Sequence, residues 1–297
     1  MKIAVTGATG FVGGAVARAL AAEHQVTRFG RRPGAEHWDI TTGTHDGRFD
    51  AVVHSAALAD DWAPIGEAMR ANRVGTRNVV ASFPGTRIVH ISTSSVYDAF
   101  TPSVHVTEDA APATRFLSSY SESKTAAEAE LAGADAVILR PHAVYGPGDT
   151  TLLPRILAGI RGRTLTLPNG AAVSHTLTHI DNLVDAVRLA LTGPAGTYNI
   201  GDDSDVLLSA VLTEFLARRG RRDVAIRSIP YSTAFAAAAA LERLSRVTRG
   251  SGKAPRPRIT RYAVSQLGLE RTLDLTAARE RLGYEPRPTS LAGAEEW

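Results

Sequence analysis

The sequence predicts an α/β fold: a doubly wound parallel sheet followed by a smaller C-terminal lobe. Three observations carry this. Short apolar runs alternate with segments of helical periodicity through the N-terminal half. A glycine-rich turn, Gly7-Ala8-Thr9-Gly10-Phe11-Val12-Gly13, lies between the first apolar run and the first helical segment. After Pro141 the rhythm breaks into short elements punctuated by Pro147, Gly148, Pro154, Pro168, Asn169 and Gly170.

Taken in order, residues 3–6 read as a buried parallel strand, because an unbroken apolar run ends at glycine. Residues 11–22 have helical periodicity and 25–29 form a second strand, which completes a βαβ unit. Residues 51–54 and 87–92 are further strands, with a helix over 65–83 between them. A helix over 118–132 leads to a strand at 136–140 that Pro141 stops. Residues 173–180, a helix from Asp181, and a strand at 197–200 read as a return to the main sheet. Residues 207–219 and 233–246 read as helices of the second lobe, and 250–257 as a Gly/Pro/basic loop. The division is therefore 1–150 for the nucleotide-binding core and 151–297 mainly for the lobe, with 173–200 rejoining the core.

Composition narrows the function classes. The chain has 297 residues, 44% of them apolar, enough for a full core. It contains no cysteine, which removes disulfides, thiolate catalysis and thiolate metal sites; no metal site is read from the sequence. The net charge is +3, with a local basic run of Arg243, Arg246, Arg249, Lys253, Arg256, Arg258 and Arg261 facing only Glu242. That run reads as a solvated surface or as a site for an anionic group. Without interleaved aromatics it does not suggest nucleic acid. No membrane span or signal peptide is read, so a cytoplasmic protein with a small-molecule substrate is expected.

The glycine turn fits a phosphate cradle. Gly7 ends a strand, Gly10 lets backbone approach a pyrophosphate, and Gly13 permits close packing of helix on sheet. Thr9, Phe11 and Val12 belong to the same turn. The second strand ends at Phe29-Gly30-Arg31-Arg32, without the carboxylate that a ribose 2′-hydroxyl requires. Arg31 and Arg32 suit a 2′-phosphate, so NADP(H) is favoured over NAD(H).

Tyr120 and Lys124 stand at i and i+4 on one helix face. A free tyrosine titrates near ~10, and a neighbouring ammonium stabilises its phenolate. Such a pair can move a proton to or from a carbonyl oxygen beside a hydride transfer. The hydroxyls of 92–95 at the end of a neighbouring strand can hold the developing oxyanion.

These motifs together resemble the extended short-chain dehydrogenase/reductases, and the likeness spans nearly the whole chain. It runs through Thr6 to Gly13, Asp39-Ile40-Thr41, His54-Ser55-Ala56-Ala57 and Asn72-Arg73-Val74-Gly75-Thr76-Arg77-Asn78. It continues with Thr93 to Tyr97, Tyr120 and Lys124, Arg140 to Asp149, His179 to Asn182 and Leu282 to Pro286. The resemblance implies a dinucleotide-binding Rossmann core in which Asp39 and Ile40 contact adenine, Ala56 and Ala57 border the ribose, and Pro141 passes the nicotinamide amide. It adds Ser55, Asn72, Ala143 and Val144 to the cofactor-binding set. Thr93, Tyr120 and Lys124 become the catalytic residues, with Lys124 also on the nicotinamide ribose. Ser94, Ser95, His142 and Arg155 become candidate substrate contacts, although His142 fits a packing role equally well. A homodimer through the helices carrying Asn72 and Tyr120 is also implied.

Within that family the chain looks most like the 3β-hydroxysteroid dehydrogenase-like branch, which includes 2-alkyl-3-oxoalkanoate reductases. Asp61 to Pro64, Arg140 to Arg155 and Ile259-Thr260-Arg261-Tyr262 carry that likeness. Ser94-Ser95 stand where dehydratases have Asp-Glu. NADPH-dependent ketone reduction is the leading expectation. A sugar-nucleotide epimerase with retained NAD is the alternative, and an NADPH-sensing module is a third.

Overall fold

A computed structural model of the chain describes residues 1–247 and 255–297. Strands β1 to β8 are Lys2–Thr6, Gln25–Gly30, Glu36–His37, Ala51–His54, Arg87–Ile91, Ser103–Val106, Ala136–Pro141 and Val144–Tyr145. Strands β9 to β15 are Thr164–Pro168, Ser174–His175, Thr178–His179, Gly196–Ile200, Val206–Leu207, Ala225–Ile229 and Arg271–Leu273. Helices α1 to α5 are Phe11–Leu20, Ile65–Ala68, Gly75–Ser82, Ser119–Ala129 and Leu152–Ala158. Helices α6 to α10 are Ile180–Ala190, Leu208–Arg218, Tyr231–Val247, Arg261–Gly268 and Thr276–Leu282.

Seven strands form one parallel sheet in the order β12-β7-β5-β4-β1-β2-β3. Side chains alternate between its faces, as the period of a strand requires. Ile3 and Val5 pack with α1 and α6 on one face. Ala4, Phe29, Val52 and Ile88 pack with Val79 and Phe83 on the other. The strand order reverses between β1 and β4, and ligands of such sheets bind at the carboxyl ends beside that switch point.

The helix expected over 65–83 forms in three parts: α2, a π-helical stretch over Met69–Val74, and α3. Gly75 starts α3 hard against Ile40; a Cβ there would lie 2.6 Å from the Ile40 side chain. A π-bulge widens the helix locally and often marks a functional segment.

The strand expected at 173–180 does not join the main sheet. It breaks into β10, which pairs with β13 and β15, and β11, which pairs with β8. The Thr176 hydroxyl, which donates to Asp205 and accepts from Leu273 N, turns the chain between them. Only β12 of this region enters the seven-stranded sheet, while α6 covers one face of it. Conversely α10, from the part assigned to the lobe, returns to the main core through Ala278, Leu282 and Tyr284. Much of the basic loop expected at 250–257, and Arg249, lie outside the described residues.

One buried ion pair ties α4 to β7. Arg140 Nε and Nη2 donate to the two Glu128 carboxylate oxygens at 3.0 and 2.7 Å. Arg140 Nη1 donates to Tyr97 Oη at 3.1 Å and Glu108 O at 2.9 Å, and the Ser92 hydroxyl donates to the same Glu128 carboxylate. Removing one partner of such a pair strands the other charge in the interior, at a cost of about 3–5 kcal/mol. Glu128→Ala is therefore expected to lower the urea unfolding free energy by about that amount. A loss comparable to an exposed pair, about 0.5 kcal/mol, would show that the pair does not hold α4.

Candidate active site

The glycine turn is built as the motif requires. Gly7 has φ +68°, and a Cβ on it would lie 2.7 Å from Ala56 N. A Cβ on Gly13 would lie 2.4 Å from the Gly7 carbonyl oxygen, so α1 approaches β1 only without a side chain there. Gly10 is exposed, has extended backbone, and starts α1 without a side-chain cap. The first-turn N–H groups of a helix have no intrahelical partner and sit at its positive end. The turn thus fits a pyrophosphate, with Phe11 and Val12 half-buried in that first turn.

Around it stand the other candidate cofactor residues. Ser55, Ala56 and Ala57 follow β4 opposite Gly7, and Ala56 N donates to Thr6 Oγ1 at 3.3 Å. Thr9 packs against Gly30, where a Cβ would lie 3.1 Å from its hydroxyl. Arg31 and Arg32 follow at the strand tip and are exposed. The Asp39 carboxyl is held below its usual range by hydrogen bonding from Thr41, with Arg31 and Arg70 adding to this. Ile40 is buried against Gly75. Pro141 ends β7, Ala143 turns with φ +46°, and Val144 begins β8.

Thr93, Tyr120 and Lys124 converge where β5 ends and α4 begins. Thr93 caps the short helical turn Ser94–Val96, its hydroxyl accepting from Ser95 N at 3.1 Å. Ser118 caps α4 in the same way, which fixes Tyr120 in the first helical turn. Burial pushes the Tyr120 phenol up, while a hydrogen bond with Thr93 pulls it down. Lys124 is fully buried, donating from Nζ to Ile91 O at 2.8 Å and to His90 Nε2 at 3.0 Å. Burial pushes the Lys124 ammonium down to about 8, and Glu128 one turn along opposes this.

A second polar chain lies beside Thr93. Ser94 Oγ is 2.8 Å from His142 Nδ1, and His142 Nε2 is 3.0 Å from His175 Nδ1. Burial holds His142 well below its usual range and His175 down at about 3, so both imidazoles are neutral. Ser95 is buried behind Thr93, and its hydroxyl is 2.6 Å from Tyr262 Oη.

Two candidates are engaged elsewhere. Asn72 is buried, accepting from Leu58 N at 2.7 Å and donating to Leu58 O and Ser123 Oγ. It ties the loop after β4 to α4. Arg155 is exposed and ion-paired to the buried Asp61 at 3.2 Å. Asp61 also receives Arg256, and Thr260 Oγ1 at 2.7 Å. The basic run likewise has partners beyond Glu242. Arg256 pairs with Asp60 at 2.6 Å and Arg246 lies over the Trp62 ring, while Arg261 takes Glu242 at 2.9 Å. Lys253 lies outside the described residues. Sequence reading missed Glu128, His90 and His175, and named Tyr262 only within a branch motif without a role. Only Glu128 had a local signal, a carboxylate one helical turn from Lys124.

A Rossmann sheet with a glycine turn after its first strand, together with the family and relatives it matches, makes the chain an NAD(P)-dependent oxidoreductase. The chain belongs to the NAD dependent epimerase/dehydratase family, whose model matches residues 3–201. It is 33% identical over 256 residues to 4-hydroxy-2-methyl-3-oxo-4-farnesyl-3,4-dihydroquinoline-1-oxide ketoreductase of Stigmatella aurantiaca, covering 83% of this chain and 75% of that one. It is 31% identical over 318 residues to 2-alkyl-3-oxoalkanoate reductase of Stenotrophomonas maltophilia, covering 97% of this chain and 95% of that one. Among solved structures, MoeE5 in complex with UDP-glucuronic acid and NAD is similar with a TM-score of 0.71 at 25% identity, over 99% of this chain and 96% of that one.

The buried lysine gives a measurable signature in the protein without ligands. The Lys124 ammonium should titrate near about 8 by side-chain NMR, charged below that pH and neutral above it. A midpoint at the ordinary lysine value, near ~10.4, would show that the site is wet.

Proposed function

We propose that the enzyme reduces a ketone to a secondary alcohol with NADPH, on a hydrophobic substrate of the 3-oxo acyl or steroid-like kind. One observation carries this reading: the Tyr120 phenol is hydrogen-bonded to Thr93, with the buried Lys124 ammonium one helical turn away at the end of β5 and hydroxyls and neutral imidazoles beside them. When bound, the nicotinamide supplies the hydride. Tyr120 gives its proton to the ketone oxygen, the Thr93 hydroxyl holds that oxygen as charge develops, and the Lys124 ammonium stabilises the phenolate left behind. The glycine turn, Thr9 and the residues following β4 and β7 hold the dinucleotide, while Arg31 and Arg32 take the 2′-phosphate. Ser94, backed by His142, faces a second substrate oxygen.

The similarity to two named ketone reductases supports this over sugar-nucleotide epimerisation. So does the engagement of Arg155, Arg256 and Arg261 by Asp60, Asp61 and Glu242, which lessens their capacity to grip a diphosphate.

A screen of NADPH oxidation over 2-alkyl-3-oxo esters, ketosteroids and UDP-hexoses tests the reading. Reduction of a ketone in the first two classes is expected, with Tyr120→Phe lowering kcat by roughly 100-fold or more. A native rate in that variant would remove Tyr120 as the proton donor. Replacing Arg31 and Arg32 together by Ala should raise the Kd for NADPH about tenfold and leave that for NADH unchanged, by isothermal titration. Equal loss for both cofactors would contradict the 2′-phosphate assignment.

A further inference from the structure

β4 and β5 run side by side, with Val52 opposite Ile88 and His54 opposite His90. Side chains two apart share a face, so the histidines continue the row that Val52 and Ile88 begin. Both are 1% exposed, and their ring centroids lie 5.1 Å apart. His54 is spent on the fold: its Nδ1 lies 2.7 Å from Thr6 Oγ1 and its Nε2 3.0 Å from Thr76 Oγ1. His90 instead sets its Nε2 3.0 Å from Lys124 Nζ, and its buried Nδ1 has no hydrogen-bond partner among the described residues. We propose that His90 is a positioning residue for Lys124: its Nε2 accepts one ammonium proton and holds the lysine, charged, one helical turn from Tyr120.

The direction of this hydrogen bond follows from the two groups. An ammonium has three protons and no lone pair, so Nζ can only donate. A second cation 3.0 Å from the first inside the core is excluded by repulsion, so the imidazole is neutral and one of its nitrogens is bare. The His90 proton then sits on Nδ1, the nitrogen that meets no acceptor. A buried donor left unpaired is costly, and an apolar ring would fill the same space without that cost. Packing therefore does not account for a histidine here, whereas the bond to Lys124 does.

Ile91 O, from the next residue of β5, is the other acceptor at 2.8 Å. Two ammonium protons are thus tied to one strand, and one is left for the oxygens of the site. The remaining ionisable neighbours do not take the place of His90. Glu128 acts on Lys124 through space, but its carboxylate is bonded to Arg140 and Ser92. Tyr120 is bonded to Thr93, and His54 is held by its two threonines. On α2 and the π-helical stretch, which pack against α4, Glu67, Arg70 and Arg73 are exposed.

The role of His90 rests on the ketone-reduction reading, in which a charged Lys124 steadies the Tyr120 phenolate, and titration and turnover separate the two. Side-chain NMR of Lys124 in the ligand-free protein reads the contact alone. His90→Leu removes the acceptor and should lower the Lys124 midpoint from about 8 to about 7. His90→Gln sets an amide oxygen near the place of Nε2 and should keep the midpoint at the wild-type value. His90→Asn sets one near the place of Nδ1, out of reach of Nζ, and should lower the midpoint as Leu does. A merely structural histidine gives no such division between Gln and Asn. A midpoint unchanged in His90→Leu, or lowered equally in the Gln and Asn variants, overturns the proposal. If the Leu variant does not fold, the Gln and Asn variants decide.

Turnover of ethyl 2-methyl-3-oxobutanoate with NADPH gives the second readout. The ammonium is present below its midpoint and lost above it. The alkaline limb of kcat/KM should therefore move down by about one pH unit in the Leu and Asn variants and stay in place in the Gln variant. That is a loss of roughly tenfold above pH ~8, with near wild-type kcat/KM at pH ~6. A loss equal at every pH overturns the proposal. Lys124 midpoints that divide as stated, without movement of the limb, count against the part given to Lys124 in ketone reduction and not against its contact with His90.

Discussion

The buried Glu128–Arg140 ion pair holds the candidate site together. Arg140 immediately precedes Pro141, Ser92 immediately precedes Thr93, and Glu128 lies one helical turn beyond Lys124. One carboxylate thus joins the three segments that carry Pro141, Thr93 and Tyr120. Its Coulombic effect reaches Lys124 as well, opposing the loss of charge that burial imposes. A pair of this kind is costly to desolvate and does not by itself stabilise a fold. Its value here is geometric: two hydrogen bonds from Arg140 hold Glu128 on α4, and two more fix the guanidinium on Tyr97 and Glu108 O.

Besides Lys124, a buried guanidinium, Arg271, lies near enough to act on His142, His175 and Tyr262. His90, His142 and His175 are buried and neutral, so they orient hydroxyls and the lysine without adding positive charge. His90 accepts a hydrogen bond from Lys124, and the His54 ring lies tilted against the His90 ring with centroids 5.1 Å apart. A low-dielectric setting strengthens each remaining interaction, which is what a transient oxyanion needs.

Local chemistry was legible in the sequence and long-range pairing was not. The strand at Lys2–Thr6, the glycine turn, and the i, i+4 relation of Tyr120 and Lys124 are each set within a few residues. The family likeness extended that reading to Thr93. By contrast, Arg256 finds Asp61 across 195 residues and Tyr262 finds Ser95 across 167. Composition showed a basic run and could not show its acidic partners. Residues 174–179 alternate like a strand in any sheet, and only contacts with β13, β15 and β8 decide which. The π-helical stretch at Met69–Val74 also left no periodic signal; Gly75 beside it packs on Ile40, and Asn72 within it accepts from Leu58 N.

Reduction and epimerisation share the same Thr–Tyr–Lys chemistry and differ in where the hydride finishes. The most direct measurement is therefore mass spectrometry of the product formed from [4,4-²H₂]NADPH and a 2-alkyl-3-oxo ester. One deuterium on the new carbinol carbon, with one NADPH consumed per alcohol, is the expected result. No labelled alcohol from any ketone, together with conversion of a UDP-hexose to its epimer without net cofactor oxidation, would contradict the account.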